Sequence, residues 1–427
     1  MNKIVSLVIL LAIISGCQSK FPGVPQTYHT LLETAFVKAG DNAAELQRAL
    51  NDAPNQQKEG MAYIISYMPE RDLTSLKADF LLQNAEFAYK AREKYDWCAA
   101  LPDSIFFNEV LPYANISENR DDWRPNFYER FAKYAEDKDN MVDAIMSIAH
   151  NIKEEVNVEY NTKRSKVDLS PLESMAENMA TCTALSILLT DAYRSVGIPS
   201  RLAGTAMWTN YRGNHTWSEV YIDNKWQFIE YYPDTLDKSW FLADAGKADP
   251  KNMLHWVYAV SYKPTGLPYY AAVDGNYIMD KIDVNTLPEK MRERVAKMKE
   301  RSEKKEPYIW GHNVTQRYIN LYQESIKNSK LKEDELMANV VVFENANTSK
   351  SESRLSCRVD VMENDKRVNF GYSPRKTDDM NQFLQFKLKK EASYKLLVSN
   401  PATNLNKEFT VTTGSDATQD IQLVLAE

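Results

Sequence analysis

Three side chains that acyl-transfer chemistry uses follow one another at Cys182, His215 and Glu230, each at the edge of a segment with regular hydrophobic spacing. Cys182 opens a stretch in which Leu185, Leu188, Leu189, Ala192 and Val196 recur at helical intervals, and Gly197 and Pro199 close it. The thiol therefore falls in the first turn of a buried helix. There the unpaired backbone N–H groups and the positive end of the helix dipole favour a thiolate. The same N–H groups are placed to stabilise an oxyanion on the carbon that the thiolate attacks. His215 begins the alternating run HTWSEVYI, a strand whose one face carries His215, Trp217, Glu219 and Tyr221. A histidine there can meet the helix N-terminus and serve as base to the thiol. After a turn at Asp223-Asn224, a second run puts Trp226, Phe228 and Glu230 on one face, so Glu230 can accept a hydrogen bond from the imidazole and fix its tautomer. Asp234, just beyond, competes for that role if residues 231–233 bend the strand.

The order of these features resembles a known family. A Cys-headed helix, Gly197-Ile198-Pro199-x-Arg201, His215-x-Trp217-x-Glu219-Val220-Tyr221, a turn, Trp226 and an acidic residue are similar to the transglutaminase-like core, a branch of the papain-like cysteine enzymes. MWTNYRGNHTWSEVY, with the upstream LPDSIFFNEVLPY and WRPNFYERF, further resembles a group of Bacteroidetes lipoproteins of transglutaminase-like type. The resemblance implies Cys182 as nucleophile, His215 as base and Glu230 as orienting acid. It departs from the common pattern at Ala180, where many members have Gly, and at Glu230, where they usually have Asp. Peptide or modified-peptide amides are the implied substrates, through a thioester, with hydrolysis favoured over crosslinking. The competing expectation is a catalytically silent cleft that binds peptide or glycan.

With 427 residues, 44% of them apolar, the chain can bury a large core divided into several domains. A net charge of −7 provides no basic surface for a polyanion, so nucleic acid is not an expected partner. Residues 1–16 read as a signal peptide: Lys3, a short apolar run, then Ile14-Ser15-Gly16-Cys17, which resembles a bacterial lipobox. Cys17 is then the expected lipidation site, tethering the mature chain to a membrane. The expected location is the outer membrane of a Gram-negative bacterium, on the periplasmic face, with the cell surface as the alternative. Cys98, Cys182 and Cys357 remain, an odd number that leaves at least one thiol unpaired. His29, His150, His255 and His312 are scattered without a second ligand at metal spacing, so neither a metal nor another cofactor is expected.

The expected fold class is α+β: a transglutaminase-like core with an N-terminal helical region and a C-terminal antiparallel β-sandwich. Helical periodicity runs through 17–160, the core through 161–275, a charged helical insertion or linker through 276–336, and short alternating strands through 337–427. Trp208, Tyr211 and Trp217 are the expected substrate-binding aromatics. Trp226, Trp240, Trp256, Tyr258, Tyr269 and Tyr270 extend the same aromatic density around a groove. Asn108, Glu109, Tyr113 and Arg124, in the polar and aromatic stretch before the core, are placed at its rim.

Overall fold

The computed structural model describes residues 20–426 except 139, 212, 234, 271–282, 290, 294–308, 349–350, 377–382 and 401–404. The expected signal peptide, Cys17 and most of the charged run after Leu287 lie outside the described residues. Two compact units part between Leu82 and Gln83, well before the expected limit of the helical region at 160.

The first unit is a set of short helices, His29–Ala39, Ala43–Asp52, Lys58–Tyr67 and Glu70–Leu73. Their apolar stripes bury Leu32, Leu46, Leu50, Met61 and Ile65. Asn42 closes this unit by donating through Nδ2 to the carbonyls of Leu73 and Leu76, at 2.9 and 2.8 Å.

The second unit is built around the helix Cys182–Ser195, in which every residue from Thr183 to Ser195 is buried. Such all-round burial makes it a central element. Its N-terminal approach is tightly specified. The preceding helix, Pro171–Glu177, carries a capping box between Ser170 and Glu173, and Asn178 turns the chain in the left-handed region at φ 53°. Met179–Ala180 then pairs with Glu159–Tyr160, and Thr181 caps the central helix by accepting from the Ala184 N–H at 3.1 Å. The helix ends at Gly197, whose φ is +72°. A Cβ there would also lie 2.7 Å from the Cys98 Sγ, so glycine is required by both conformation and space.

Against this helix lies a five-stranded antiparallel sheet. Its strands are β1 (Ser200–Thr205), β2 (His215–Ile222), β3 (Lys225–Ile229), β4 (Val257–Ser261) and β5 (Trp310–Asn313), in the spatial order β3-β2-β1-β4-β5. The pleat sends Leu202, Tyr258 and Val260 towards Ile187 of the central helix. Ala203, Trp217, Phe228 and Ala259 go to the opposite face, which Phe241 and Tyr318 cover. The core therefore continues past 275. Residues Trp310–Asn313 supply its edge strand, and the helix Thr315–Ser329 brings Tyr318 to its far face. This corrects the reading of 276–336 as an insertion: four residues are too few to register as a strand beside so strong a charge run.

Seven further strands form two sheets over a shared apolar core that includes Val340, Val359, Phe386, Leu396 and Leu423. They are β6 (Glu335–Phe343), β7 (Arg358–Glu363), β8 (Lys366–Tyr372), β9 (Leu384–Lys389), β10 (Ser393–Asn400), β11 (Leu405–Thr412) and β12 (Thr418–Val424). The sheet orders are β8-β7-β10-β11 and β9-β6-β12. One pair departs from the expected antiparallel pattern: β12 arrives from the other sheet and runs parallel to β6.

Candidate active site

Polar side chains stitch the central helix to β2. Ser186 Oγ donates to the Thr216 carbonyl at 3.0 Å, Thr183 and Thr216 hydroxyls meet at 3.1 Å, and Thr190 and Ser218 hydroxyls at 3.0 Å. These contacts satisfy one another out of water and fix the helix's position along the strand. With that position set, Cys182 comes to His215 at the start of β2. The antiparallel register pairs Ser218 with Ile229, so Glu230 falls across from Trp217 and diagonally from His215. Glu230 Oε1 and His215 Nε2 are 2.6 Å apart. That contact occupies Nε2 and leaves Nδ1 for the thiol.

The electrostatics follow from this packing. Burial alone would raise the Cys182 thiol, but the hydrogen bond and positive charge of His215 outweigh it, helped by the Thr216 N–H and the Thr183 hydroxyl. The net result is a thiol below its ordinary pKa. Burial would likewise lower His215, yet its contacts with Cys182 and Glu230 win and raise it to about 9. Both directions favour the charged forms, thiolate and imidazolium. The other two thiols are the contrast, since burial pushes both Cys98 and Cys357 up to about 12.

A cleft of about 350 Å³ opens above the pair, lined by Tyr160, Leu185, Asn214, Trp240 and the three polar groups themselves. In the helix's first turn, the backbone N–H groups of Cys182 and Thr183 have no intrahelical carbonyl to pair with. They adjoin the reacting sulfur, where an oxyanion would form.

Of the two acids weighed in the sequence, the structure brings Glu230 to the imidazole; Asp234 lies outside the described residues. The expected substrate-binding aromatics need correction. Trp208 is buried and stacks on Trp217 and Phe241, away from the cleft. Tyr211 lies edge-on to His255, in a separate apolar cluster. Trp217 reaches the cleft only as its floor, because it is 1% exposed and its indole N–H donates to Tyr318 at 2.6 Å. The rim expected at Asn108, Glu109, Tyr113 and Arg124 is displaced too: Glu109, Tyr113 and Arg124 are buried. Arg124 bonds carbonyls at the opposite end of the helix, including that of Arg194 at 3.2 Å.

Other motif residues turn out to be scaffold. Glu219, fully buried, accepts from Arg201 at 2.9 Å and from Tyr318 at 2.6 Å, and also pairs with Arg317. The guanidinium of Arg201 sits 3.7 Å over the Trp226 ring. Sequence reasoning missed Ser239, whose hydroxyl donates to Glu230 Oε2 and holds the carboxylate that holds the histidine. Tyr270, expected among the aromatics around the groove, instead stands behind the site. The Tyr270 hydroxyl lies 3.2 Å from that of Thr216, behind Cys182. Gly204 makes room for it: a Cβ there would lie 2.6 Å from the Tyr270 hydroxyl. Nothing in the local sequence of Ser239 sets it apart from an ordinary loop serine.

A helix-borne cysteine facing a histidine and a carboxylate on adjacent antiparallel strands defines a papain-like type of core. The family comparison agrees with that class. Residues 129–231, a span containing Cys182, His215 and Glu230, match the family model of the transglutaminase-like superfamily, and this part of the chain is a transglutaminase-like core. Among solved structures, the chain is similar to one from Cytophaga hutchinsonii described as a candidate cysteine protease. The identity is 19% and the TM-score 0.25, with 33% of this chain and 45% of that one covered. The chain thus spans less than half the length of that relative. The comparison with curated proteins yields no match.

Proposed function

We propose that the chain is a cysteine enzyme that attacks amide carbonyls of peptide-like substrates and passes through a thioester. The observation that carries this reading is the 2.6 Å bond between His215 and Glu230 beside a thiol held below its ordinary pKa. The Cys182 thiolate adds to the carbonyl carbon, and the carbonyl oxygen takes up negative charge towards the N–H groups of the helix's first turn. The His215 imidazolium gives its proton to the amide nitrogen, the C–N bond breaks, and the amine leaves. Water then adds to the thioester as neutral His215 takes its proton, and collapse releases a carboxylic acid and restores the thiolate–imidazolium pair. Glu230 keeps the ring oriented throughout and stabilises the imidazolium each time it forms. An amine in place of water would make the product a crosslink. Hydrolysis is the favoured outcome because the cleft is partly open to solvent.

In this reading the protein works in the cell envelope, tethered through lipid on Cys17, and its substrates are peptides or glycan-linked peptides there. The lipobox-like Ile14-Ser15-Gly16-Cys17 supports the tether.

The test is the pH dependence of iodoacetamide labelling at Cys182, located by peptide mapping. Fast labelling at pH 7 that collapses in His215→Ala is the expected result. An ordinary thiol profile that ignores His215 would sink the catalytic reading and leave a binding cleft.

A further inference from the structure

Large apolar side chains standing in solvent are informative when they border a cleft. Two do so here: Trp240 is 65% exposed and Tyr160 62% exposed, and both line the space above Cys182. The Trp240 ring centroid lies 5.0 Å from that of His215. Tyr160 pairs with Ala180, on the strand that leads into the Cys182 helix. One ring thus borders the base and the other borders the approach to the nucleophile. Leu185 and Tyr231 add apolar surface to the same lining, and Asn214, Ser186 and Thr216 add uncharged polar groups.

Charge decides what such a cleft accepts. Among the described lining residues, the charged groups are those of Cys182, His215 and Glu230, and these are already committed to one another. A charged substrate side chain would lose its water and meet no counter-ion, which is costly. An apolar side chain, above all a ring, would gain contact with both aromatic walls. Resting on the acyl-enzyme reading above, we propose that Trp240 and Tyr160 are specificity-determining walls. They select acyl donors with an uncharged, apolar side chain on the residue that carries the scissile carbonyl.

The test measures rates of Cys182 alkylation in the intact chain by iodoacetamide, by N-benzyl-iodoacetamide and by its 4-carboxybenzyl analogue. The benzyl reagent is expected to react on the order of tenfold faster than the parent, and the carboxylate is expected to abolish that preference. Trp240→Ala and Tyr160→Ala should each lower the benzyl-to-parent ratio by about threefold or more, and Trp240→Phe should keep most of it. Both positions are exposed, so circular dichroism should show the fold retained. A fast, His215-dependent parent rate with a ratio unmoved by either alanine overturns the walls alone. Equal rates for the carboxybenzyl and benzyl reagents do the same. A slow parent rate indifferent to His215→Ala overturns the acyl-enzyme reading and this proposal with it.

Discussion

The two ends of the Cys182–Ser195 helix treat charge in opposite ways. At its start, a thiol, an imidazole and a carboxylate border a cleft, and their contacts shift both Cys182 and His215 towards their charged forms. At its finish, Arg194 and Arg124 are each 2% exposed, and both donate to main-chain carbonyls, while Arg124 Nε also donates to Asn84 Oδ1 at 2.7 Å. Arg194 bonds the carbonyls of Glu109, Ser200 and Ala114, each at 3.1 Å. Arg124 bonds those of Val110, at 2.9 Å, and Pro112, at 2.8 Å, at the end of the π turn Phe106–Val110 and just beyond it. Both placements suit the helix dipole, anion at the N-terminus and cation at the C-terminus. The difference lies in what the donors serve. One end leaves N–H groups without intrahelical partners beside the Cys182 sulfur, whereas the other directs most of its guanidinium donors to backbone carbonyls held out of water.

The sharpest way to break this contrast is at the buried end. Arg194→Met should lower the unfolding free energy by about 3–5 kcal/mol in urea titration, because three buried carbonyls lose their donor at once. A loss below about 1 kcal/mol would mean that the carbonyls find other partners, and the arginine would not be the anchor described.

At the reactive end the largest effect should come from the base. In His215→Ala, burial acts on Cys182 without the opposing charge, so its titration should move above the ordinary value of 9.0. Alkylation at pH 7 should then fall by about a hundredfold. Glu230→Gln should cost less, roughly tenfold in the same assay, and should bring His215 down from about 9 as followed by NMR. The sign of the pH effect is fixed by these shifts. The fold raises His215 above 6.5, so the stability it contributes is complete below 6.5 and is lost as pH rises through about 9. Thermal unfolding of wild type against His215→Ala across that window reads it directly.

The reactive end was legible in the sequence because its geometry is local. Thr181 caps, Cys182 begins the helix, and the alternation of HTWSEVYI and KWQFI fixes which residues share a face, so Glu230 could be placed near His215 by pairing alone. The buried end was not legible. Glu109 and Arg124, set among aromatics, look like a cleft rim, since nothing in residue type reveals that a side chain will bond the carbonyls of a loop. Trp208 and Trp217 were misplaced for a related reason: a tryptophan near His215 packs into the core or faces the cleft according to what covers it. Here Phe241 and Tyr318, distant in sequence, do the covering.

The smallest expected effect separates the buried end's arginines from its acids. Asp191 lies on the same helix, and burial pushes its carboxyl well above the ordinary value despite the nearby arginines. Its Oδ1 accepts from Asn115 Nδ2 at 2.9 Å, while its Oδ2 is buried without a partner among the described residues. An amide has the shape and polarity of a protonated carboxyl, so Asp191→Asn should change stability by less than about 1 kcal/mol at pH 7. The sign of the difference should vary with pH. A carboxyl whose folded value is raised contributes stability that is complete below the unfolded value of 3.8 and declines as pH rises through the folded one. The asparagine variant lacks that decline and should gain on wild type as pH is raised from 4 to 8 in parallel urea titrations. A loss of several kcal/mol that grows with pH would instead make Asp191 a charged partner of Arg194, and the buried end would then be an ion-pair network, no longer arginines serving mainly the backbone.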